Sequence, residues 1–167
     1  MKIANPKNTK EILKKYNIRL KKSLGQNFLV DNNILDNIVE AANLTKQDKV
    51  IEIGPGIGSL TERMAEEAQK VVAVELDDRL ISVLEDILKG YNNVEVVHGD
   101  ALEVNFNQLI SDSYKVIANL PYYITTPIIM RLLEDDFNVE EIIVMVQKEV
   151  AERMVADPGG KDYGILS

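Results

Sequence analysis

The feature that most constrains this chain is a short apolar run that leads directly into three closely spaced glycines. Residues 49–53 are compact and rich in β-branched side chains, and Gly54, Gly56 and Gly58 follow at once. Apolar residues then recur at helical spacing: Leu60, Met64, Ala65 and Ala68. The pattern predicts a buried strand that turns sharply into a helix. Such a turn, at the carboxyl end of a strand, is where α/β sheets bind ligands.

The same alternation of strand and helix continues along the chain. We predict strands over 49–53, 71–75, 94–97, 115–118 and 141–147. Helices are predicted over 58–68, 78–89, 105–111, 125–134 and 148–156. Asp31 is predicted to cap an earlier amphipathic helix that ends near Asn43, and Thr9 to cap a short helix before that one. The pattern predicts an α/β fold with a mostly parallel sheet and helices on both faces.

Composition narrows the chemistry that this chain can perform. Its 167 residues suit one domain. The absence of cysteine excludes disulfides and thiol nucleophiles, and with His98 as the single histidine we expect no metal site and no catalytic triad. No apolar run approaches the ~20 residues of a membrane span, so we expect a cytoplasmic protein without a membrane partner.

Charge is divided unevenly along the chain. Residues 1–22 hold eight Lys/Arg and one acidic residue, for a net +7, whereas the other residues hold 11 basic and 26 acidic residues, for a net −15. We therefore divide the chain into a basic arm (1–22) and a core (23–167). An arm of this charge suits RNA phosphates, with these candidate contacts: Lys14, Lys15, Lys21 and Lys22. A solvated, partly disordered terminus is the alternative, and charge alone leaves it open.

Polar side chains stand at the carboxyl ends of four predicted strands. They are Glu52, Glu75, Asp100 and Asn119. In a parallel sheet these ends share one edge, so we expect the four side chains to converge on one crevice. Glu75 lies about 20 residues beyond the first glycine, where a ribose-binding carboxylate belongs. Two simpler interpretations remain open: Glu75 as part of an acidic helix N-terminus, and Asp100 as a turn residue.

The motif favours an adenosine ligand without phosphates. Ser59 stands where a dinucleotide fingerprint has its last glycine, which disfavours a nicotinamide cofactor. No lysine follows the glycines as it would in a triphosphate-binding loop. Glu75 could accept both ribose hydroxyls, and Asp100 could accept from an adenine amine. S-adenosylmethionine is a ligand of this kind.

A second motif, Asn119-Leu120-Pro121-Tyr122, places two acceptors beside an aromatic ring. Pro121 biases Leu120 toward an extended conformation, so the Asn119 side chain and the Leu120 carbonyl could both face the crevice. Two acceptors on the hydrogens of a nucleobase amine would favour an attacking geometry of its nitrogen. Tyr122 could stack on the base, a contact worth about 1–3 kcal/mol. The alternative is a Pro-Tyr turn packed on the core.

Four stretches in order carry a resemblance to a known family. They are Leu24-Gly25-Gln26-Asn27-Phe28-Leu29, Glu52 to Gly58, Asn119 to Pro127 and Gln147 to Arg153. Together they resemble the KsgA-type ribosomal RNA adenine dimethyltransferases. The resemblance implies a Rossmann-like class I methyltransferase that transfers methyl groups from S-adenosylmethionine to the N6 amines of two adjacent adenosines of small-subunit (16S) ribosomal RNA, in a pre-ribosomal particle.

The resemblance also implies the residues of the site. The cofactor contacts would be Asn27, Leu29, Gly54, Gly56, Glu75, Leu76, Asp100, Ala101 and Asn119. The target base would be held by the catalytic motif: Asn119, Leu120, Pro121 and Tyr122.

Two other functions remain open at this stage. One is an erythromycin-resistance type methyltransferase acting on large-subunit RNA, which shares the glycine motif and the Asn-Leu/Ile-Pro-Tyr motif. The other is a ribosome-assembly factor that acts mainly by binding. Family members continue into two further strands and a small helical domain, and none of these follows Ser167. We therefore expect an incomplete core, weak or absent methylation, and self-association through an exposed fifth strand.

Overall fold

The computed structural model describes residues 3, 5–18, 31–119, 124–161 and 163–167. The helices are α1 (Pro6–Lys15), α2 (Asn32–Ala42), α3 (Ser59–Glu67), α4 (Asp78–Leu88), α5 (Phe106–Leu109), α6 (Thr125–Glu134) and α7 (Lys148–Met154). The strands are β1 (Lys49–Ile53), β2 (Lys70–Glu75), β3 (Val94–His98), β4 (Tyr114–Asn119) and β5 (Val139–Met145). Strands and helices alternate from β1 onward, as the sequence predicts.

The five strands form one parallel sheet in the order β3-β2-β1-β4-β5. β1 is central, and its Ile51 lies between Val72 of β2 and Val116 of β4. The chain winds outward in one direction from β1 to β3 and in the other from β4 to β5. The crevice between β1 and β4 is therefore the switch point at which ligands bind in sheets of this kind.

Side chains of each strand alternate between two cores, one on each face of the sheet. Ile51 of β1 packs on one face in a cluster with Phe106 of α5, and α6 closes the same cluster. Val50 packs on the other face with Met64 of α3, and α2 belongs to that cluster. Helices therefore cover both faces, and the predicted α/β architecture is confirmed.

The fifth strand begins and ends two residues earlier than predicted. The prediction placed it at 141–147, whereas pairing with β4 begins at Val139, opposite Tyr114. Val139 and Glu140, which the prediction leaves out, belong to this strand, and Glu141 within it forms an ion pair with Lys115 at 3.2 Å. Within the described residues β5 pairs only with β4, and its Ile143 side chain is half-buried.

The first helix begins earlier than predicted, because Asn5 and not Thr9 caps it. The Asn5 side chain accepts the N–H of Lys7 at 2.9 Å, and proline occupies the first turn, where its missing N–H costs nothing. Ile12 on this helix is buried in a cluster with Leu84 of α4. The proposed division at residue 22 falls outside the described residues and stays a prediction.

Asp31 caps α2 as predicted, accepting the N–H of Asn33 at 2.9 Å, and the helix ends at Asn43 in the left-handed conformation.

Across the described ranges, every helix is too short or too polar to span a bilayer.

Candidate active site

The glycine turn joins β1 to α3, and its backbone conformation would be strained in residues other than glycine. Gly54 and Gly58 have φ of 72° and 84°, in the left-handed region that favours glycine. A Cβ on Gly58 would approach Leu84 of α4 to 3.2 Å. The N–H of Gly54 donates to the carbonyl of Val74 at 3.0 Å, which ties the turn to β2. The three glycines are thus required by the turn geometry.

Glu75 ends β2 and lies against this turn. Its Oε2 accepts the N–H of Gly56 at 3.2 Å, and its Oε1 accepts the N–H of Asp77 at 2.8 Å. Only 6% of the residue is exposed, and this burial raises the pKa of its carboxyl. Each carboxylate oxygen has a second lone pair, so both can still accept from a ligand.

The alternative interpretation of Glu75 as a helix-terminus charge is disfavoured by its neighbour. Asp77 is the residue that caps α4, since its side chain accepts the N–H of Arg79 at 3.2 Å. The Arg79 guanidinium also donates to both oxygens of Asp77. Asp77 therefore takes the capping role, and Glu75 is directed toward the glycine turn.

Asp100 follows β3, next to the end of β2. The N–H of Gly99 donates to the carbonyl of Glu75 at 2.9 Å, which joins the two strand ends. Oδ1 of Asp100 accepts the N–H of Leu102 at 2.8 Å, so Asp100 does form a turn. Ala101 beside it is buried, whereas Leu76 is exposed. The turn role and a ligand role for Asp100 are compatible, because a carboxylate has further acceptor positions.

Asn119 is the last residue of β4 and is half-buried. A Cβ built on Gly54 would lie 3.8 Å from the Asn119 carbonyl oxygen, so these two residues are neighbours at the switch point. The strand order therefore places Asp100, Glu75, Gly54 and Asn119 in succession along one edge of the sheet.

Glu52 lies near Glu75, but contrary to our expectation its carboxyl faces α3. It is 2% exposed, and its carboxylate accepts a hydrogen bond from the hydroxyl of Thr61 on α3. Burial, with a smaller contribution from the nearby charge of Glu75, raises the pKa of Glu52 to about 8. The side chain thus joins β1 to α3, the two elements that the glycine turn connects, and so supports the turn.

The sequence matches a known protein family over most of its length. Residues 17–167 match the family model described as ribosomal RNA adenine dimethylase. The chain belongs to this dimethylase family. The resemblance carried by the sequence motifs is thereby confirmed.

Curated relatives within the dimethylase family are closely similar over nearly all of this chain. The ribosomal RNA small subunit methyltransferase A of Alkaliphilus oremlandii is 55% identical over 99% of the chain and 60% of its own length. Its counterpart in Ligilactobacillus salivarius is 57% identical over 99% of the chain and 58% of its own length. The chain therefore spans about 60% of the length of these relatives.

Solved structures agree with the dimethylase assignment. A dimethyladenosine transferase from Plasmodium falciparum superposes with a TM-score of 0.72 at 37% identity, over 81% of this chain and 49% of that one. The 23S rRNA methyltransferase ErmE superposes with a TM-score of 0.70 at 34% identity, over 76% of this chain and 50% of that one. The Rossmann-like methyltransferase fold is thus shown.

Several residues that the sequence assigns to a dimethylase site lie outside the described residues. They are Asn27, Leu29, Leu120, Pro121 and Tyr122 of the site, together with Lys21 and Lys22 of the arm. Their assigned roles stay predictions.

Charged side chains also lie outside the sheet edge. Where the structure is described, no group of three or more His, Asp or Glu side chains is arranged to hold a metal ion. Away from the sheet edge, a groove of about 250 Å³ lies between α2 and α3, and its lining includes Asp36, Glu40 and Arg63.

Proposed function

We propose that this chain binds S-adenosylmethionine at the carboxyl edge of the sheet and acts in the transfer of its methyl groups to the N6 amines of two adjacent adenosines of small-subunit ribosomal RNA. The observation that carries the proposal is the buried carboxylate of Glu75, held against the glycine turn by the N–H of Gly56. The identity of about 55% to small-subunit methyltransferases supports the same activity.

The residues at this edge fit the cofactor. Glu75 has two fixed oxygens for two ribose hydroxyls, and hydrogen bonds to a buried carboxylate are stronger than those between neutral groups. Gly54 leaves open the space beside the Asn119 carbonyl that a Cβ would contact at 3.8 Å. Asp100 lies at the neighbouring strand end, on the far side of Glu75 from Gly54. A ribose on Glu75 would therefore have its base directed toward Asp100 and its other end toward Asn119.

Chemistry at the Asn119 end requires orientation more than proton abstraction. When bound, S-adenosylmethionine supplies an electrophilic methyl group. Asn119 lies at the switch point, where its amide oxygen can accept a hydrogen from the target amine and orient the nitrogen lone pair. No ionisable side chain needs to take the proton in this scheme, because the nitrogen is cationic and acidic once it has gained the methyl group. It releases its proton to water, and S-adenosylhomocysteine is the other product. The role of Asn119 is therefore orientation of the amine.

The exposed lysines of α1 are the proposed contact with RNA phosphates. Lys7, Lys10 and Lys14 are exposed and recur at i, i+3 and i+7, so they lie on one side of the helix. Lys15 is different, since its ammonium forms an ion pair with Asp86 at 3.2 Å and lies over the ring of Tyr16. We therefore assign the phosphate contacts to Lys7, Lys10 and Lys14 and give Lys15 a structural role.

The proposal extends to a pre-ribosomal particle as the partner. The alternative substrate, large-subunit RNA, is supported by the similarity to ErmE at 34% identity. The small-subunit relatives are considerably more similar, and they align over 99% of the chain. We therefore favour the small subunit.

Methylation of isolated subunits tests this proposal. The chain, in excess over a mixture of small and large ribosomal subunits that lack the modification, is incubated with isotope-labelled S-adenosylmethionine, and the RNA of each subunit is separated, digested and analysed by mass spectrometry. We expect labelled N6-methylated adenosine in small-subunit RNA, its loss in Glu75→Ala, and its retention in Glu95→Ala, which alters an exposed carboxylate on β3. Label confined to large-subunit RNA, or equal label from the two variants, would contradict the proposal.

A further inference from the structure

The backbone of Ile3 is held on both sides by buried side chains. Its N–H donates to Oε2 of Glu62 at 2.8 Å, and its carbonyl accepts the hydroxyl of Thr9 at 3.1 Å. Ile3, Glu62 and Thr9 are 1%, 5% and 6% exposed. A main-chain segment far from Glu62 in sequence is thus bound in a fixed position, although nothing in the local sequence pattern predicts it.

Glu62 connects this segment to the glycine turn. It lies in the first turn of α3, where its own N–H donates to the carbonyl of Gly58 at 2.9 Å. The side chain of Ile3 belongs to the same hydrophobic cluster as Ile57, the residue between Gly56 and Gly58. The segment therefore packs behind the turn whose Gly56 N–H donates to Glu75.

The helix that follows Ile3 fastens the segment at its other end. Ile12 packs in the same cluster as Leu80 and Leu84 of α4. At the end of α1, Lys15 and the Tyr16 hydroxyl both contact the carboxylate of Asp86 on α4. We call Ile3 together with α1 and Tyr16 the N-terminal clasp.

Burial of a carboxylate costs free energy of folding unless hydrogen-bond donors face it. The Ile3 N–H is such a donor, so the clasp stabilises Glu62 and Glu62 holds the clasp. The hydroxyl of Tyr91 also donates to Glu62, at 3.4 Å from Oε1. The match to the family model begins at residue 17, whereas the curated relatives align over 99% of the chain, so their alignment covers the clasp. The clasp contacts the methyltransferase core next to the glycine turn, through Glu62 and Ile57.

We propose that the N-terminal clasp positions the glycine turn for the cofactor, with Glu62 as the positioning residue. The clasp fixes Ile57 and the first turn of α3 from behind, so that the N–H of Gly56 is directed to Glu75 before the ligand arrives. Without the clasp the turn samples other conformations, so fewer molecules hold the conformation that binds the cofactor. The apparent affinity for the cofactor falls in proportion to that fraction. The inference rests on the proposed cofactor site at Gly56 and Glu75.

The test compares two variants of Glu62 with a control variant that lowers the stability of the fold on the other face of the sheet. Affinity for S-adenosylhomocysteine is measured by calorimetry, and melting temperature by circular dichroism. Glu62→Ala removes the acceptor of the Ile3 N–H, and we expect at least about a tenfold weaker affinity. Glu62→Gln keeps an acceptor oxygen and should recover most of that loss. Leu132→Ala, in the cluster on the opposite face, should lower the melting temperature with affinity unchanged within about twofold.

A milder variant covers the case in which Glu62→Ala does not fold. Thr9→Val removes the hydroxyl that donates to the Ile3 carbonyl, and we expect a smaller but measurable weakening, about threefold. Unchanged affinity in Thr9→Val and Glu62→Ala, with binding by the wild type, would overturn the clasp and leave the cofactor site intact. Equal losses in Leu132→Ala would overturn it too. A wild type that does not bind would overturn the proposed function itself.

Discussion

The main-chain N–H of Gly56 donates to Oε2 of Glu75 at 3.2 Å, so the glycine turn and the end of β2 form one unit. The other oxygen of the same carboxylate accepts the N–H of Asp77 at 2.8 Å. Each oxygen of Glu75 therefore faces one main-chain donor, in a position that is 6% exposed. A side chain with an N–H donor at position 75 would place that donor against the N–H of Gly56 or of Asp77.

Glu75→Gln is expected to weaken cofactor binding strongly. The amide NH₂ of glutamine would face either the N–H of Gly56 or that of Asp77, and the charge-assisted bonds to the ligand, worth about 1.5–3 kcal/mol, would be lost. This predicts an affinity for S-adenosylmethionine lower by a factor of about 10 to 150 in calorimetry. Glu95→Gln on β3, an exposed position paired with Lys70, is the matched control and should bind normally. Equal affinities in the two variants would contradict the assignment of Glu75.

Glu52→Gln is expected to flatten the dependence of stability on pH. The folded state holds the Glu52 proton up to a pKa of about 8, whereas an unfolded chain releases it near ~4.3. The free energy of unfolding is therefore highest below the lower value and falls as pH rises toward 8, by up to ~1.4 kcal/mol per pH unit. Glutamine cannot ionise, and its oxygen still accepts the Thr61 hydroxyl.

Urea denaturation at pH 5 and pH 8 measures this effect. The variant should gain roughly 3 kcal/mol over the wild type between these two values. Curves for the two proteins that run parallel from pH 5 to pH 8 would show that Glu52 is ionised throughout, and its role as a neutral support for the turn would be wrong.

Asn119→Ala is expected to impair methyl transfer far more than RNA association. An acceptor that acts on the target amine contributes mainly in the transition state, and loss of one such contact typically lowers a rate by about 10²–10³-fold. Single-turnover methylation and filter binding, performed on the same preparations, separate the two quantities. Asn92→Ala, at an exposed turn before β3, is the control and should match the wild type in both. Parallel losses of rate and RNA affinity in Asn119→Ala would argue against an orienting role.

Neutralising the exposed lysines of α1 is expected to reduce the salt dependence of RNA binding. Each phosphate contact contributes roughly 0.7–0.9 to the slope of log K against log salt concentration. Lys14→Ala should lower the slope by about that amount, and Lys7→Ala and Lys10→Ala likewise. Lys15→Ala should change the slope less, because its charge is already paired with Asp86. A larger effect at Lys15 than at Lys14 would reverse our assignment.

The sequence predicts the fold well because each of its signals is local. The apolar run before Gly54 and the caps at Asp31 and Asn43 depend only on neighbouring residues, and the structure has each of them where expected. The edge strand is predicted less well. Val139 and Glu140 lie outside the predicted strand, and the pairing of Val139 with Tyr114 of β4 is a contact between distant residues that the local sequence does not show.

The site is predictable only in part, because some of its contacts join residues that are distant in sequence. Parallel strands bring Glu75 and Asp100 to one edge, so a pattern of strand ends is sufficient to find them. Glu62 carries no such signal, since it accepts from Ile3 across 59 positions of the chain. The direction of Glu52 is also a tertiary property, because the hydroxyl of Thr61 that faces it belongs to the packing of α3.

The central claim is that the carboxyl edge of the sheet binds an adenosine cofactor, and titration with S-adenosylhomocysteine followed by amide NMR tests it most directly. We predict saturable shifts at the amides of Gly54, Gly56, Glu75 and Asp100, with the groove between α2 and α3 unaffected. Shifts confined to that groove, around Asp36 and Arg63, or a spectrum that does not change at saturating ligand, would contradict it.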